Sequence, residues 1–100
     1  MTQQPWMSIV GLANRARKLI SGEELVLKEI RQHRAKLVLL SMDASANTKK
    51  RIEDKCRYYE VPIKYVENRY VLGKSIGKEA RVVIAILDRG FSEKLMQLLD

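Results

Sequence analysis

Two apolar runs, Leu37 to Leu40 and Val82 to Leu87, constrain this chain more than any other feature of it. A strand with one solvated face alternates apolar and polar residues, because successive side chains point to opposite sides of a sheet. Neither run alternates. Both therefore belong to the interior of a sheet whose two faces are covered by helices.

The intervening segments supply those helices. From Pro5, a residue suited to a first helical turn, Ile9, Leu12, Ala13, Ala16, Leu19 and Ile20 recur at spacings of three and four, which predicts one amphipathic helix through Ile20. Gly22 interrupts it. Val26, Ile30 and His33 or Arg34 mark a second, shorter helix, with Glu23 and Glu24 at the positive end of its dipole. Thr48, Ile52, Cys56 and Tyr59 share a third helical face, with Lys49, Lys50, Arg51, Glu53 and Asp54 pointing outward and Pro62 stopping the helix. A short strand over residues 63–66 follows, then a helical turn, the strand within residues 81–88, and a last helix carrying Phe91, Leu95, Leu98 and Leu99. The expected fold is a three-layer α/β/α sandwich around a small mixed four-stranded sheet.

The 100 residues, 46% of them apolar, are enough for one core, so a single domain over residues 1–100 is expected, with disorder confined to residues 1–5. Lys and Arg number 19 against 12 acids, a net charge of +7, which makes a polyanion the natural partner. No apolar run approaches the roughly 20 residues of a membrane span, and no basic leader precedes one, so a cytoplasmic monomer without membrane contact is expected. Cys56 and His33 are the only residues of their types, which argues against a zinc site or a Cys–His nucleophile. Neither metal, cofactor, small-molecule substrate nor enzymatic activity is expected.

VLGKSIGKEA, residues 71–80, has the look of a phosphate loop. A Walker loop needs four residues between its glycines, then Lys and a hydroxyl residue, and it runs from strand to helix. Gly73 and Gly77 are three apart, Glu79 follows Lys78, and the segment precedes a strand. The ordinary reading is that Gly77 ends a short helix in a left-handed conformation and Gly73 permits close packing. That leaves Lys74, Lys78 and Arg81 gathered at one end of the last strand, where a loop can meet a phosphate backbone.

LGKSIGK before a buried strand, AKLVLLSMDAS on the central strand, and the run from Cys56 to Pro62 together resemble the ribosomal-protein family L7Ae, which includes L30e, over residues 8 to 98. Within it the chain is similar to small bacterial ribosomal-protein-like members. The resemblance implies a non-enzymatic protein that binds structured RNA, typically the kink-turn, a sharply bent helix flanked by sheared G·A pairs, in the ribosome or another ribonucleoprotein. It implies an RNA-reading stretch at Gly22, Glu23, Glu24, Leu25 and Lys28, and a second contact at Lys78, Glu79, Ala80 and Arg81. Gly22 and Lys28 match the family pattern, whereas Glu24 and Leu25 depart from it. A carboxylate only accepts hydrogen bonds and is repelled by phosphate, although it can accept from guanine's amino and imino hydrogens. Leu25 cannot hydrogen-bond a base at all.

Two alternatives stay open. Glu24 and Lys28 stand in the order of a surface i,i+4 ion pair. The chain could also be a protein-interaction adaptor that has lost base recognition and docks through an apolar patch including Leu25. Lys28 and Arg31 should share a helical face and, with the Lys74 to Arg81 loop, form one basic patch. Arg15, Arg17 and Lys18 read as a solvated face, and Lys49 to Arg51 as a salt-bridged one. Cys56 reads as core filler, Asp43 and Asp88 as caps of the following helix or turn, and Trp6 and most of the tyrosines as core or boundary packing.

Overall fold

A computed structural model describes residues 4–99. The elements are α1 (Pro5–Arg15), β1 (Leu19–Ser21), α2 (Glu23–Arg31), β2 (Leu37–Ser41), α3 (Ala46–Tyr58), β3 (Ile63–Val66), α4 (Arg69–Lys74), β4 (Val83–Ile86) and α5 (Arg89–Leu98). The sheet order is β1-β4-β2-β3, with β2 and β3 parallel and both other pairings antiparallel.

The two unbroken apolar runs are the central strands, and every residue of β2 and β4 is buried. Alternation of side chains divides them between two cores. Leu37, Leu39, Ile84 and Ile86 meet Trp6, Met7, Val10 and Ala13 of α1, Leu72 of α4 and Leu95 of α5. Val38, Leu40, Val83 and Ala85 meet Val26, Leu27 and Ile30 of α2 and Ile52 and Cys56 of α3. The expected three-layer sandwich around a mixed four-stranded sheet is the fold.

The first helix is shorter than its spacing predicts. It ends at Arg15, and Leu19 and Ile20 form β1, pairing with Ile86 and Ala85 of β4. A Schellman turn makes the break: the Arg17 N–H donates to the Asn14 carbonyl at 3.0 Å and the Lys18 N–H to the Ala13 carbonyl at 2.9 Å, with Arg17 left-handed at φ 60°. The same turn ends α2 at His33 and α3 at Glu60, both also left-handed, so α3 stops before Pro62 is reached. Only α4 uses a glycine for this purpose, Gly77 at φ 72°. Within residues 1–5, where disorder was expected, Pro5 opens α1, and Gln4 accepts from the Trp6 indole N–H at 2.7 Å and donates to Glu67 at 3.1 Å. Residues 1–3 of that stretch lie outside the described residues.

Asp88 caps α5 by accepting from the Phe91 N–H at 2.9 Å, but Ser45, not Asp43, caps α3. Cys56 fills the core between α3 and the sheet, and burial, with the Glu53 charge adding to it, pushes its thiol up to about 12. The thiol of the native protein is expected to resist a thiolate-directed reagent at pH 8 and to react fully once the chain is unfolded in guanidinium, which a colorimetric thiol assay reads directly. Prompt reaction of the folded protein would show this part of the core to be open.

Candidate RNA interface

Gly22 turns the chain from β1 into α2. Its φ is 105°, its N–H donates to the Val83 carbonyl at 3.2 Å, and a Cβ added there would meet nothing within 4 Å. The glycine is needed for backbone conformation rather than for space. That hydrogen bond also fixes the start of α2 against the start of β4.

Residues 75–82 arrive at the same place. Gly73 sits so close to the returning chain that a Cβ would lie 2.7 Å from the Ala80 N and Cα. The Lys78 N–H donates to the Gly73 carbonyl at 2.9 Å and the Arg81 N–H to the Arg69 carbonyl at 2.9 Å. Half-buried Arg81 turns its guanidinium inward, donating to the Ala80 carbonyl at 2.7 Å and lying 3.4 Å from the Ser21 hydroxyl. Both predicted stretches, Gly22 to Leu25 and Lys78 to Arg81, are thereby tied through Ser21 and Val83 to one end of the sheet. Lys74, Lys78 and Glu79 are exposed and Ala80 is half-buried.

Lys28 and Arg31 are exposed on α2. At 1.5 Å per residue they lie roughly 9 Å and 14 Å along the chain axis from Gly22, so Arg31 belongs to the far end of the helix rather than to this rim.

Glu24 does not pair with Lys28 as its spacing suggested. It accepts from Arg51 Nη1 of α3 at 3.1 Å, and the same guanidinium bonds Glu23. Glu23 also accepts from the Thr48 hydroxyl at 2.8 Å. Arg51 therefore serves two carboxylates 27 and 28 residues away, and Thr48 orients one of them. Lys28 takes part in no ion pair among the described residues. Arg51 lies on a salt-bridged helix surface, as its spacing predicts, and its partners are two residues of the stretch expected to read RNA. Leu25 beside them is 51% exposed.

A second network braces the rim. Asp43, after β2, accepts from the Arg69 N–H at 3.1 Å and Arg69 Nε at 3.2 Å, while Arg69 Nη2 donates to the Asp43 carbonyl at 2.8 Å. Desolvation acts to raise the Asp43 pKa and is outweighed by the donors around it, the Arg69 N–H and guanidinium among them, so the carboxyl sits below its ordinary value. Asp43 thus clamps α4, whose Arg69 carbonyl holds Arg81. Met42 and Tyr70, next to Asp43 and Arg69, are exposed rather than packed. Asp43 and Asp88 each have a structural task, and among the described residues no group of His, Cys, Asp and Glu is placed to hold a metal ion.

The chain resembles known proteins along its whole length. The model of the family described as Ribosomal protein L7Ae/L30e/S12e/Gadd45 matches residues 4–96. The chain is 64% identical over 100 residues to the RNA-binding protein YlxQ of Bacillus subtilis (strain 168), covering all of both chains. It is 45% identical over 98 residues to the RNA-binding protein YlxQ of Enterococcus faecium, covering 98% of this chain and 94% of that one. A solved structure of a protein of unknown function from Bacillus halodurans C superposes with a TM-score of 0.91 at 51% identity, over 94% of this chain and 95% of the other. The 15.5kD RNA binding protein of Giardia lamblia shares the fold at a TM-score of 0.81 and 17% identity, over 92% of this chain and 79% of that one. With the motifs, the order of elements and these matches in agreement, the chain belongs to the Ribosomal protein L7Ae/L30e/S12e/Gadd45 family.

Proposed function

We propose that this protein binds structured RNA of the kink-turn kind, without catalysis, through the rim formed by Gly22, Glu23, Glu24, Leu25 and Lys28 together with Lys74, Lys78, Glu79, Ala80 and Arg81. Its place would be a cytoplasmic ribonucleoprotein, the ribosome among the candidates, and it would act as one monomeric domain. The observation that carries the reading is the joining of two separate chain segments at one end of the sheet by the Gly22–Val83 and Arg81–Ser21 contacts. The family and the names of the two YlxQ relatives point the same way.

In this reading Lys28, Lys74 and Lys78 meet phosphates or guanine acceptors. Glu23 and Glu24, screened by Arg51, accept from guanine's imino and amino hydrogens in place of the family's amide. A duplex lacks the bend that presents those groups together with the flanking backbones. Titration with a kink-turn RNA and with an unbent duplex of the same composition should therefore give at least about tenfold tighter binding to the bent RNA, since each good base contact discriminates by ~1–3 kcal/mol. Equal, weak affinity for both would remove the kink-turn from the proposal.

The half-exposed Leu25 favours one second reading, an adaptor that docks a protein on this rim. A partner that co-purifies after ribonuclease treatment supports the adaptor, and one lost with the RNA supports the RNA reading.

A further inference from the structure

The opposite end of the molecule carries a surface that the RNA rim does not use. Backbone hydrogen bonds define it. The Leu87 N–H donates to the Lys18 carbonyl at 2.8 Å, the Lys36 N–H to the Ile86 carbonyl at 2.7 Å, and the Val38 N–H to the Pro62 carbonyl at 3.0 Å. The chain segments at Lys18, Leu87, Lys36 and Pro62 therefore line up across the sheet at the end away from Gly22 and Arg81. Helices α1, α2 and α3 all finish there.

Part of its basic character has a plain explanation, since cations in last helical turns offset the helix dipoles. Arg34 and Arg57 are further accounted for by Glu29 at 2.7 Å and Asp54 at 3.1 Å. Arg17, Lys18 and Lys36 are exposed and take part in no ion pair among the described residues. The acids at this end are Glu60 beside Tyr59, Asp88 after Leu87, and Glu93, which lines a pocket together with Lys36.

The dipoles do not explain the aromatic side chains. His33, Tyr59 and Tyr58 form a file of edge-to-face contacts, with ring centroids 5.4 Å apart at 73° and 4.9 Å apart at 77°. Tyr59 anchors the file on the α2–α3 core, while Tyr58, edge-to-face with it, stands 77% exposed. A solvent-facing ring at the same end of the sheet as these exposed cations suits an unpaired nucleobase with its phosphates, because every base offers a face to stack and each phosphate a charge to neutralise.

We propose that this pole, with Tyr58 as the stacking platform and Lys18 and Lys36 as phosphate contacts, is a second RNA-binding surface that takes single-stranded segments. About 15 Å of α3 separates Tyr58 from Thr48 at the rim, so one protein could hold a bent duplex at one end and a flanking strand at the other. The choice of RNA as partner rests in part on the proposed function, but the surface itself does not.

The test uses the full chain and a labelled oligouridylate of about 12 nucleotides, within the size range of single-strand sites. Parallel titrations use a blunt-ended kink-turn duplex and phosphatidylserine vesicles. Tyr58→Ala should weaken oligouridylate binding at least about fivefold, Tyr58→Phe should retain it, and a Lys18→Glu, Lys36→Glu variant should weaken it and flatten its salt dependence. Binding of the blunt kink-turn should be the same in all variants. Oligouridylate binding that is absent, or unaltered by Tyr58→Ala, overturns the proposal, as does a preference for the vesicles. If wild-type protein ignores the kink-turn yet the oligouridylate results hold, the rim reading fails and this one stands.

Discussion

Exchanging Lys28 and Lys78 together for glutamate should lower kink-turn affinity by about 100-fold or more, the largest effect expected of any surface change in this protein. Each lysine removed costs a charge-assisted hydrogen bond of roughly 1.5–3 kcal/mol, and each glutamate adds repulsion against the backbone it now faces. A rim neutralising ~4 to 6 phosphates gives a log-log salt slope of roughly −3 to −5, and losing two contacts should flatten it by about 2. Both side chains are exposed, so the fold should survive, which circular dichroism checks in the same samples. An affinity and a salt slope that both stay put would mean that the RNA, if bound, lies elsewhere.

The second large effect is on stability. Gly73→Ala places a Cβ 2.7 Å from the Ala80 N and Cα and 2.9 Å from its carbonyl carbon. These are backbone atoms and cannot swing aside as a side-chain end can. Relief requires the segment from Gly77 to Arg81 to lift off α4, with loss of the Lys78–Gly73 and Arg81–Arg69 hydrogen bonds. The expected cost is about 2–3 kcal/mol in urea unfolding, at the upper part of the usual range for overpacking. Gly11→Ala is a useful comparison, because its Cβ would meet the Ser75 carbonyl oxygen at 3.3 Å and small adjustments suffice. It should cost under about 1 kcal/mol. Equal effects of the two substitutions would mean that the Gly73–Ala80 approach is looser than it is drawn.

The same contact separates what was legible in the chain from what was not. Gly73 and Gly77 could be assigned to packing and to a helix end from spacing alone, and both assignments hold. That the packing partner is Ala80, within the predicted RNA-contacting loop, was not readable, because nothing local specifies which backbone returns over α4. Glu24 is similar. Its nearest sequence neighbour of opposite charge at helical spacing is Lys28, yet Arg51 takes it, since α3 lies alongside α2 and can reach both carboxylates at once.

Local patterning by itself determined the three layers, the two central strands and the buried faces of the helices, because burial on both sides of a strand or on one side of a helix leaves a periodic trace in the residues themselves. It also carried the family resemblance. Only the tertiary structure decided where α1 ends and β1 begins. Ala16, Leu19 and Ile20 continue a helical spacing, and the break falls at Arg17, a left-handed residue with none of the glycine or proline that would announce it. The hydrogen bonds that favour the strand come from β4, more than 60 residues later by the Leu19–Ile86 register, and pairings at that separation leave no mark on a short window of sequence. The edge strand so formed ends at Ser21, and through Ser21 and Gly22 it sets the rim on which the proposed function depends.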